Sequence, residues 1–489
     1  MESRYTWTVP PSGFYGLTTI AEVNAYLAAV PGGLSPSDPV PLLVALDSGL
    51  GTMTQILSGW QLLLAAIATG GKYVALDLSA QTMTGTVFDP VSTFAIGKDR
   101  IVTLILPDAA LTIPDGNNNT RAFNHFSNIR AVSGASITTI GARAFTGARS
   151  LTSVHFPAAT NIGVGAFNGA SSLTNVSFPV ATTIGHVAFA WASSLTSVSF
   201  PVATTIGDNA FVGASSLTSV HFPAVTTIDN DAFREASSLT NVSFPVATTI
   251  GSWAFSGASS LTSVSFPAAT SIGNSAFSGA SSLTRVSFPA ATTIGNNAFA
   301  FCINLTNFIL SGTGALSVIE GGRALVRNNT ELVAFPSASG SVSMPGIITV
   351  GGGAFAGANS LTSVSFPVAT TIGNGAFQNA SSLTSVSLPA ATTIGSSAFR
   401  FTGTHGFTIT LGNNAPSLPN FLFSDNATGT ITVIVPPGAT GYTPFSGTGA
   451  PVTVSGNNNN ATWANNFRRG GVATQGTIQQ GITVIIRNP

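Results

Sequence analysis

The chain has 489 residues, of which only 7% are charged, and its 16 basic side chains balance its 16 acidic ones. So sparse and balanced a charge provides no field that would attract nucleic acid or an anionic membrane, which argues against both partners. The single cysteine excludes an internal disulfide framework and a zinc site built from cysteines.

Residues 1–100 are predicted to form an α/β cap at the N-terminal end. Thr19 and Glu22 have the spacing of a capping box, which predicts that a helix begins there. Ser58 is placed to cap a second helix, which is predicted to end at the glycine pair 70–71. The apolar face of that helix contains Trp60, Leu63, Leu64 and Ile67.

Strands are predicted next to these helices, at 42–46, 73–78 and 101–106. The middle residues of these three strands are Val44, Leu76 and Leu104, and equivalent residues of the next two predicted strands are Val132 and Val154. The spacings between these five residues are 32, 28, 28 and 22. The shrinking interval indicates that the cap leads directly into a regular repeat.

A repeat of 22 residues begins near residue 129, and residues 261–282 are a typical copy. Side chains alternate along a strand, so Val264 and Phe266 are predicted to face inward while the serines beside them face solvent. Pro267 has no N–H for the ladder and ends the strand, and Gly273 suits a tight or left-handed turn. One turn cannot bury its own apolar groups, so the repeat predicts a stack of turns that forms a parallel solenoid.

The two repeated motifs resemble those of BspA-like, Treponema-type leucine-rich repeats. They are Leu-x-x-Val-x-Phe-Pro and Ile-Gly-x-x-Ala-Phe, seen for example at Leu283–Pro289 and Ile294–Phe299. The resemblance implies an α/β solenoid, that is, a right-handed parallel β solenoid with short helical turns. Family members often carry a cysteine three residues before the repeat leucine. Here that column holds alanine, and only Cys302 keeps the thiol.

The solenoid is predicted to extend over residues 101–400, with about 13 turns. Residues 305–360 are too many for two regular turns, so we predict two long turns with extra loops at 320–322 and 337–341. Residues 401–489 are predicted to form a β-rich C-terminal cap. Its strands are expected at 407–411, 430–435, 452–454 and 482–486, with Trp463 and Phe467 closing the last repeat.

The sequence contains no arrangement of residues that is typical of an enzyme, so we expect no catalytic activity, cofactor or metal. His155 and His221 share a column but lie three turns apart, roughly 14 Å at the usual strand spacing, which is too far for one metal ion. Asp229 and Asp231 are expected at a solvated corner near Arg234. Adjacent threonines also recur in columns, but neighbours on a strand face opposite ways, which argues against an ice-binding surface.

Candidate binding residues are those that depart from the common residue of their column. Two aromatic residues replace a corner glycine and a third occupies another variable corner; the remaining candidates lie on the solvent face of the strands. The eight candidates are Trp191, Trp253, Phe301, His155, His221, Asn175, Asn241 and Arg285. Exposed aromatic side chains commonly anchor interfaces, and the alternative interpretation is that each of them fills a local groove.

These observations predict a binding protein that is not an enzyme and that attaches to a protein or a glycan. Because similar proteins are typically adhesins, the resemblance implies a secreted or cell-surface location, although no signal peptide or transmembrane segment is readable. The alternative is a structural subunit that assembles with copies of itself into an extracellular filament or layer. Its neutral faces of serine, threonine and asparagine would repel one another little.

Overall fold

The computed structural model describes residues 16–90, 96–116, 122–123, 125–310, 314–402, 406–417, 429–436, 439, 452–454 and 482–487. For residues 429–431, 452–454 and 482–487 it describes the backbone alone. The chain divides into two compact units, Met1–Phe222 (unit 1) and Pro223–Pro489 (unit 2).

Unit 1 begins with two helices, α1 (Ile20–Ala29) and α2 (Gly59–Gly70). Thr19 and Glu22 form the predicted capping box, in which the backbone N–H of Glu22 donates to Thr19 Oγ1 at 3.2 Å. Ser58 caps α2, and Gly71 ends it in the left-handed conformation. Both helix predictions are therefore confirmed, because capping is decided by residues close in sequence.

The strands of unit 1 are short and follow one another at nearly regular intervals. They are β1 (Val40–Leu43), β2 (Val74–Asp77), β3 (Ile101–Ile105), β4 (Thr112–Ile113), β5 (Ala131–Ser133), β6 (Thr139–Ile140), β7 (Ser153–His155), β8 (Asn161–Ile162), β9 (Asn175–Ser177), β10 (Thr183–Ile184), β11 (Ser197–Ser199), β12 (Thr205–Ile206) and β13 (Ser219–His221).

These strands form two parallel sheets. The main sheet has the order β1-β2-β3-β5-β7-β9-β11-β13, and the Thr-Ile sheet consists of β4, β6, β8, β10 and β12. In the main sheet Leu42, rather than the predicted Val44, pairs with Leu76. The next pairs, Leu76 with Leu104 and Leu104 with Val132, are those that the spacing predicted.

The Thr-Ile sheet was not anticipated from the sequence, and it explains the threonine columns. The hydroxyl of the first threonine of a pair can bond to the turn before it: Thr204 Oγ1 donates to the carbonyl of Thr182 at 3.4 Å. The second threonine, such as Thr183, belongs to the strand and has an exposed side chain. The columns therefore satisfy backbone carbonyls as well as covering the surface.

The core of unit 1 is a ladder of stacked phenylalanines. Phe145, Phe167, Phe189 and Phe211 lie at successive 22-residue intervals, with ring centroids 5.1–5.3 Å apart and nearly parallel planes. The segments that carry them, for which the resemblance implied short helical turns, are hydrogen-bonded turns with no α-helix. Each such turn contains residues with positive φ, which interrupt an α-helix.

Unit 2 continues the same pattern of strands. They are β14 (Thr227–Ile228), β15 (Asn241–Ser243), β16 (Thr249–Ile250), β17 (Ser263–Ser265), β18 (Ser271–Ile272), β19 (Arg285–Ser287), β20 (Thr293–Ile294), β21 (Asn307–Ile309), β22 (Leu316–Ile319), β23 (Ala324–Arg327), β24 (Glu331–Ala334), β25 (Ser339–Ser343), β26 (Thr349–Val350), β27 (Ser360–Ser365), β28 (Thr371–Ile372), β29 (Ser385–Leu388), β30 (Thr393–Ile394), β31 (Phe407–Leu411), β32 (Gly429–Ile434), β33 (Val452–Val454) and β34 (Ile482–Arg487).

Most of these strands pair in parallel with the strand one turn away. The main-sheet strands β17, β19 and β21 form one group, and β25, β27, β29, β31, β32 and β34 form another, with β33 antiparallel to β34. The strands β31 to β34 confirm the four predicted in the C-terminal region, whereas Trp463 and Phe467 lie outside the described residues. From β3 to β29, thirteen described strands have main-sheet positions, so the fold is a parallel β solenoid of about 13 turns.

The irregular region contains one inserted hairpin, formed by β22 and β23, rather than two long turns. Strands β22, β23 and β24 are antiparallel, and the predicted loop at Glu320–Gly322 is a 3₁₀ turn between the first two. The second predicted loop is instead the strand β25. The guanidinium of Arg327 donates a hydrogen bond to the carboxylate of Glu331 at 2.9 Å and another to the carbonyl of Ile294 at 2.6 Å. In a regular turn, a backbone N–H of the next turn donates to the equivalent carbonyl.

A buried lysine gives unit 1 a testable dependence on pH. Lys98 is 1% exposed and its Nζ lies 5.8 Å from the ring centre of Phe126. Loss of hydration lowers the pKa of Lys98 from 10.5 to about 8, although the charge of Asp89 opposes this change.

The free energy of unfolding is expected to increase as the pH rises from about 8 to about 10. In that range the unfolded lysine still binds a proton that the folded one has released, so alkali favours the folded state. The increase in the free energy of unfolding over this pH range is at most about 3 kcal/mol. Urea unfolding at four pH values should show this rise in the wild type and not in Lys98→Met. If the free energy of unfolding changed with pH in the same way in the wild type and in Lys98→Met, the assignment of this pH dependence to Lys98 would be wrong.

Candidate functional site

In unit 1, three of the predicted residues lie exposed on the main sheet: His155 on β7, Asn175 on β9 and His221 on β13. Asn175 is held in place, because its Oδ1 accepts hydrogen bonds from Ser197 Oγ at 2.5 Å and from Thr196 Oγ1 at 3.1 Å. Strands β9 and β11 separate the two histidines. The structure therefore does not bring them together.

In unit 2, Asn241 on β15 and Arg285 on β19 are also exposed on strands. The Nδ2 of Asn241 donates to Thr240 Oγ1 at 3.0 Å. Arg285 lies in register between Ser263 and Asn307, so a cation stands between two small neutral side chains. These positions form a solvent-facing surface of short polar groups with a single strong charge at Arg285.

Trp191 is the most exposed of the aromatic candidates, with 54% of its surface accessible. Its six-membered ring lies against Gly213 of the next turn, so closely that a Cβ on Gly213 would overlap the ring. Its backbone N–H donates to the carbonyl of Val212 at 2.7 Å. The indole is therefore supported from one side by backbone and still presents a large surface to solvent.

Trp253 has a different environment, although it is 42% exposed. The guanidinium of Arg234 lies 5.6 Å from its ring centre, within the range of a cation–π contact. Arg234 also pairs with Asp231 at 3.1 Å and with Glu235 at 3.6 Å. The expected pairing of Arg234 with the carboxylates of this corner is thus confirmed for Asp231, and Trp253 belongs to a charged cluster.

Phe301 is half-buried, so it fits the alternative interpretation that such a residue fills a local groove. Its backbone N–H donates to the carbonyl of Ala356 at 3.0 Å. Its ring lies next to Gly357, as does Ile303. This contact joins residues 56 positions apart, because the inserted hairpin lies between them in sequence.

Sequence reasoning missed that these corners require a left-handed backbone. Trp191, Trp253 and Phe301 have φ values of +60°, +60° and +62°. The glycines that usually occupy the column of Trp191 and Phe301 also have positive φ, as do the varied residues in the column of Trp253, such as Asn209 and Ser275. Phe401 follows the same rule with φ +55°, and the guanidinium of Arg400 lies 4.9 Å from its ring centre. The signal in the sequence was the recurrence of glycine and asparagine, the residues that adopt this conformation most readily.

The described residues contain no group of three or more His, Cys, Asp or Glu side chains placed to hold a metal ion. Within the same part of the chain, no helix combines the length and the apolar character needed to cross a bilayer.

Comparison with known families identifies the repeat. A family model described as the BspA type leucine rich repeat region matches residues 116–234, 204–320 and 337–440. The chain belongs to the BspA-type leucine-rich repeat family. The matches cover more than half of the sequence, which confirms the resemblance that the two repeated motifs indicated.

Solved structures of bacterial leucine-rich repeat proteins are among those similar to this chain. A leucine-rich repeat protein from Bacteroides ovatus is 22% identical over 74% of this BspA-type chain and 89% of its own, with a TM-score of 0.47. A leucine rich cell surface protein from Faecalibacterium prausnitzii is 22% identical over 68% and 78% of the two chains, with a TM-score of 0.42. A search of curated proteins returned no match.

The one cysteine of this BspA-type chain has a structural contact. Cys302 is completely buried, and its Sγ donates to the carbonyl of Phe277 at 3.1 Å. Burial raises the pKa of the thiol well above its usual range. Thr402 occupies the same column and makes the same bond, since its Oγ1 donates to the carbonyl of Phe377 at 2.8 Å.

Cys302→Thr is therefore expected to fold with near-normal stability, whereas Cys302→Ala should lower the free energy of unfolding by about 1 kcal/mol. In the native wild type the thiol should not react with a disulfide reagent at pH 8, and it should react fully in urea. Rapid labelling of the folded protein would contradict the buried, protonated thiol.

Proposed function

We propose that this protein is a non-catalytic, secreted or cell-surface binding protein that attaches to a protein or glycan ligand. The observation that carries the proposal is the placement of Trp191 and Trp253 in a left-handed backbone at exposed positions. In the column of Trp191, where glycine is usual, a bulky residue in that conformation costs about 1 kcal/mol or more compared with glycine. Stability alone would favour glycine there, so a role in recognition accounts for the Trp191 side chain better.

The family supports the same proposal. BspA-type leucine-rich repeat proteins are typically binding scaffolds rather than enzymes, and the main sheet presents an extended surface of short polar groups. The departures from that pattern are the residues best placed to select a ligand: His155, Asn175, His221, Asn241 and Arg285.

Self-assembly into a filament or layer is the alternative, and it is favoured by the zero net charge of the chain, which leaves little repulsion between copies. Light scattering at micromolar concentration separates the two proposals. A monomer that persists across salt and protein concentration would eliminate the assembly.

The proposed function predicts saturable binding of the purified chain to immobilised matrix proteins or to cells. Alanine replacements of His155, His221 and Arg285 and glycine replacements of Trp191 and Trp253 should each be compared with Ser199→Ala. Ser199 is an exposed strand serine that follows the common pattern, so its replacement serves as the control. Loss of affinity in at least one of the five, with normal binding by the control, is the expected result. Absence of binding to every surface would refute the proposal.

A further inference from the structure

Trp191 differs from the other exposed aromatic residues in that its own segment and the matching segments of the two adjacent turns contain no charged residues. The segment 189–194 reads Phe-Ala-Trp-Ala-Ser-Ser, and its counterparts one turn before and after, 167–172 and 211–216, contain only Phe, Asn, Val, Gly, Ala and Ser. By contrast, Trp253 lies under the guanidinium of Arg234, with two carboxylates beside that group. The ring of Phe401 lies under Arg400.

The Trp191 ring is supported by Gly213 of the next turn. One side of the indole rests on Gly213, which is itself left-handed with φ +68° and has no side chain to displace the ring. The other side contributes to the 54% exposure of the residue. A supported ring of this kind loses little conformational entropy when a ligand stacks on it, which favours binding.

The chemistry of this surface selects the ligand. The face of an indole carries negative electrostatic potential, so it attracts C–H groups that bear partial positive charge. A pyranose ring presents such C–H groups on one face and hydroxyl groups at its edge. The serine pairs 193–194 and 215–216 follow Trp191 and Gly213 closely in sequence and are partly exposed, so they provide hydroxyls for that edge. A charged ligand would meet no opposite charge in these segments.

We propose that Trp191, supported by Gly213 and bordered by these serines, is a stacking site for the face of an uncharged pyranose unit in a glycan. The proposal rests on the function proposed above and assigns it a ligand class. It also distinguishes Trp191 from the charged corner at Trp253.

The test uses the full-length chain on an array of neutral oligosaccharides, namely β-glucan, mannan and galactan fragments, with sialylated and sulfated glycans for comparison. Glycans that bind are then measured by calorimetry with three variants. Trp191→Gly removes the ring and restores the residue that usually occupies this column. Gly213→Ala keeps the ring but displaces it from its support. Phe401→Gly is the matched control, since it removes an exposed aromatic residue from the same column where a guanidinium covers the ring.

The wild type is expected to bind at least one neutral glycan. Trp191→Gly should weaken that binding by about tenfold or more, as expected for the loss of one stacked ring. Gly213→Ala should also weaken it, and Phe401→Gly should bind within twofold of the wild type. Thermal unfolding of each variant verifies that it folds.

Two results would overturn the proposal. One is an array on which no neutral glycan binds, and the other is a bound glycan whose affinity is unchanged in Trp191→Gly. If matrix proteins or cells are still bound in either case, the glycan site is wrong while the proposed binding function stands. If nothing is bound at all, both fail.

Discussion

Replacing Gly273 with alanine is expected to lower the free energy of unfolding by about 4 kcal/mol. A Cβ at this position would lie 2.5 Å from the backbone nitrogen of Ser252 and 2.6 Å from the carbonyl carbon of Gly251 in the preceding turn. Backbone atoms cannot move aside as a side chain can, so the two turns must separate. Gly273 does not have a positive φ, so its glycine is required by the close approach of the backbone rather than by a left-handed turn.

Gly279→Ala is the matched control for this prediction. Gly279 belongs to the left-handed corner column with φ +78°, and a Cβ there would meet nothing closer than 3.6 Å. Alanine should therefore cost only about 1 kcal/mol, and Gly279→Asn less, because Asn379 occupies the same column with φ +59°. Urea unfolding of the three variants measures the difference. Equal losses for Gly273→Ala and Gly279→Ala would mean that close approach of the backbone does not explain the recurrence of glycine at the position of Gly273.

The two glycines show which parts of the fold could be predicted from the sequence. The period of 22 residues placed Val264 and Phe266 in the core, because burial repeats with the strand whatever the details of the turns. The same pattern did not reveal why a glycine recurs. At Gly273 glycine is required because the backbone of another turn lies too close for a Cβ. At Gly279 it is favoured because the backbone is left-handed. In the sequence, both positions look alike, since each is a column of glycine.

Features that span fewer than three residues or interrupt the period were not predictable. The strands of the Thr-Ile sheet have two residues each, too few for an alternating pattern to be recognised. The half-buried position of Phe301 depends on Gly357, which follows an insertion that destroys the register. For the candidate site, the exposed position of Trp191 followed from its column, whereas its support by Gly213 required the three-dimensional arrangement of neighbouring turns.

The phenylalanine ladder of unit 2 should be the most sensitive part of its core. Phe255 lies between Phe233 and Phe277, with ring centroids 5.3 Å and 5.4 Å away and planes within 7° of parallel. Phe255→Ala is expected to lower the free energy of unfolding by about 4 kcal/mol or more, because it leaves a cavity and removes two stacking contacts.

The loss should also divide the cooperative unit, because each turn of a repeat protein is stabilised mainly by its two neighbours. Phe266→Leu is the matched control, since Leu388 already occupies that column and is completely buried. This variant should lose only about 1 kcal/mol and keep a single transition. Urea titration followed by circular dichroism is the measurement, and Phe255→Ala should show a smaller denaturant slope or two transitions. A single transition of unchanged slope in Phe255→Ala would indicate that stability is distributed over the stack rather than transmitted between adjacent rings.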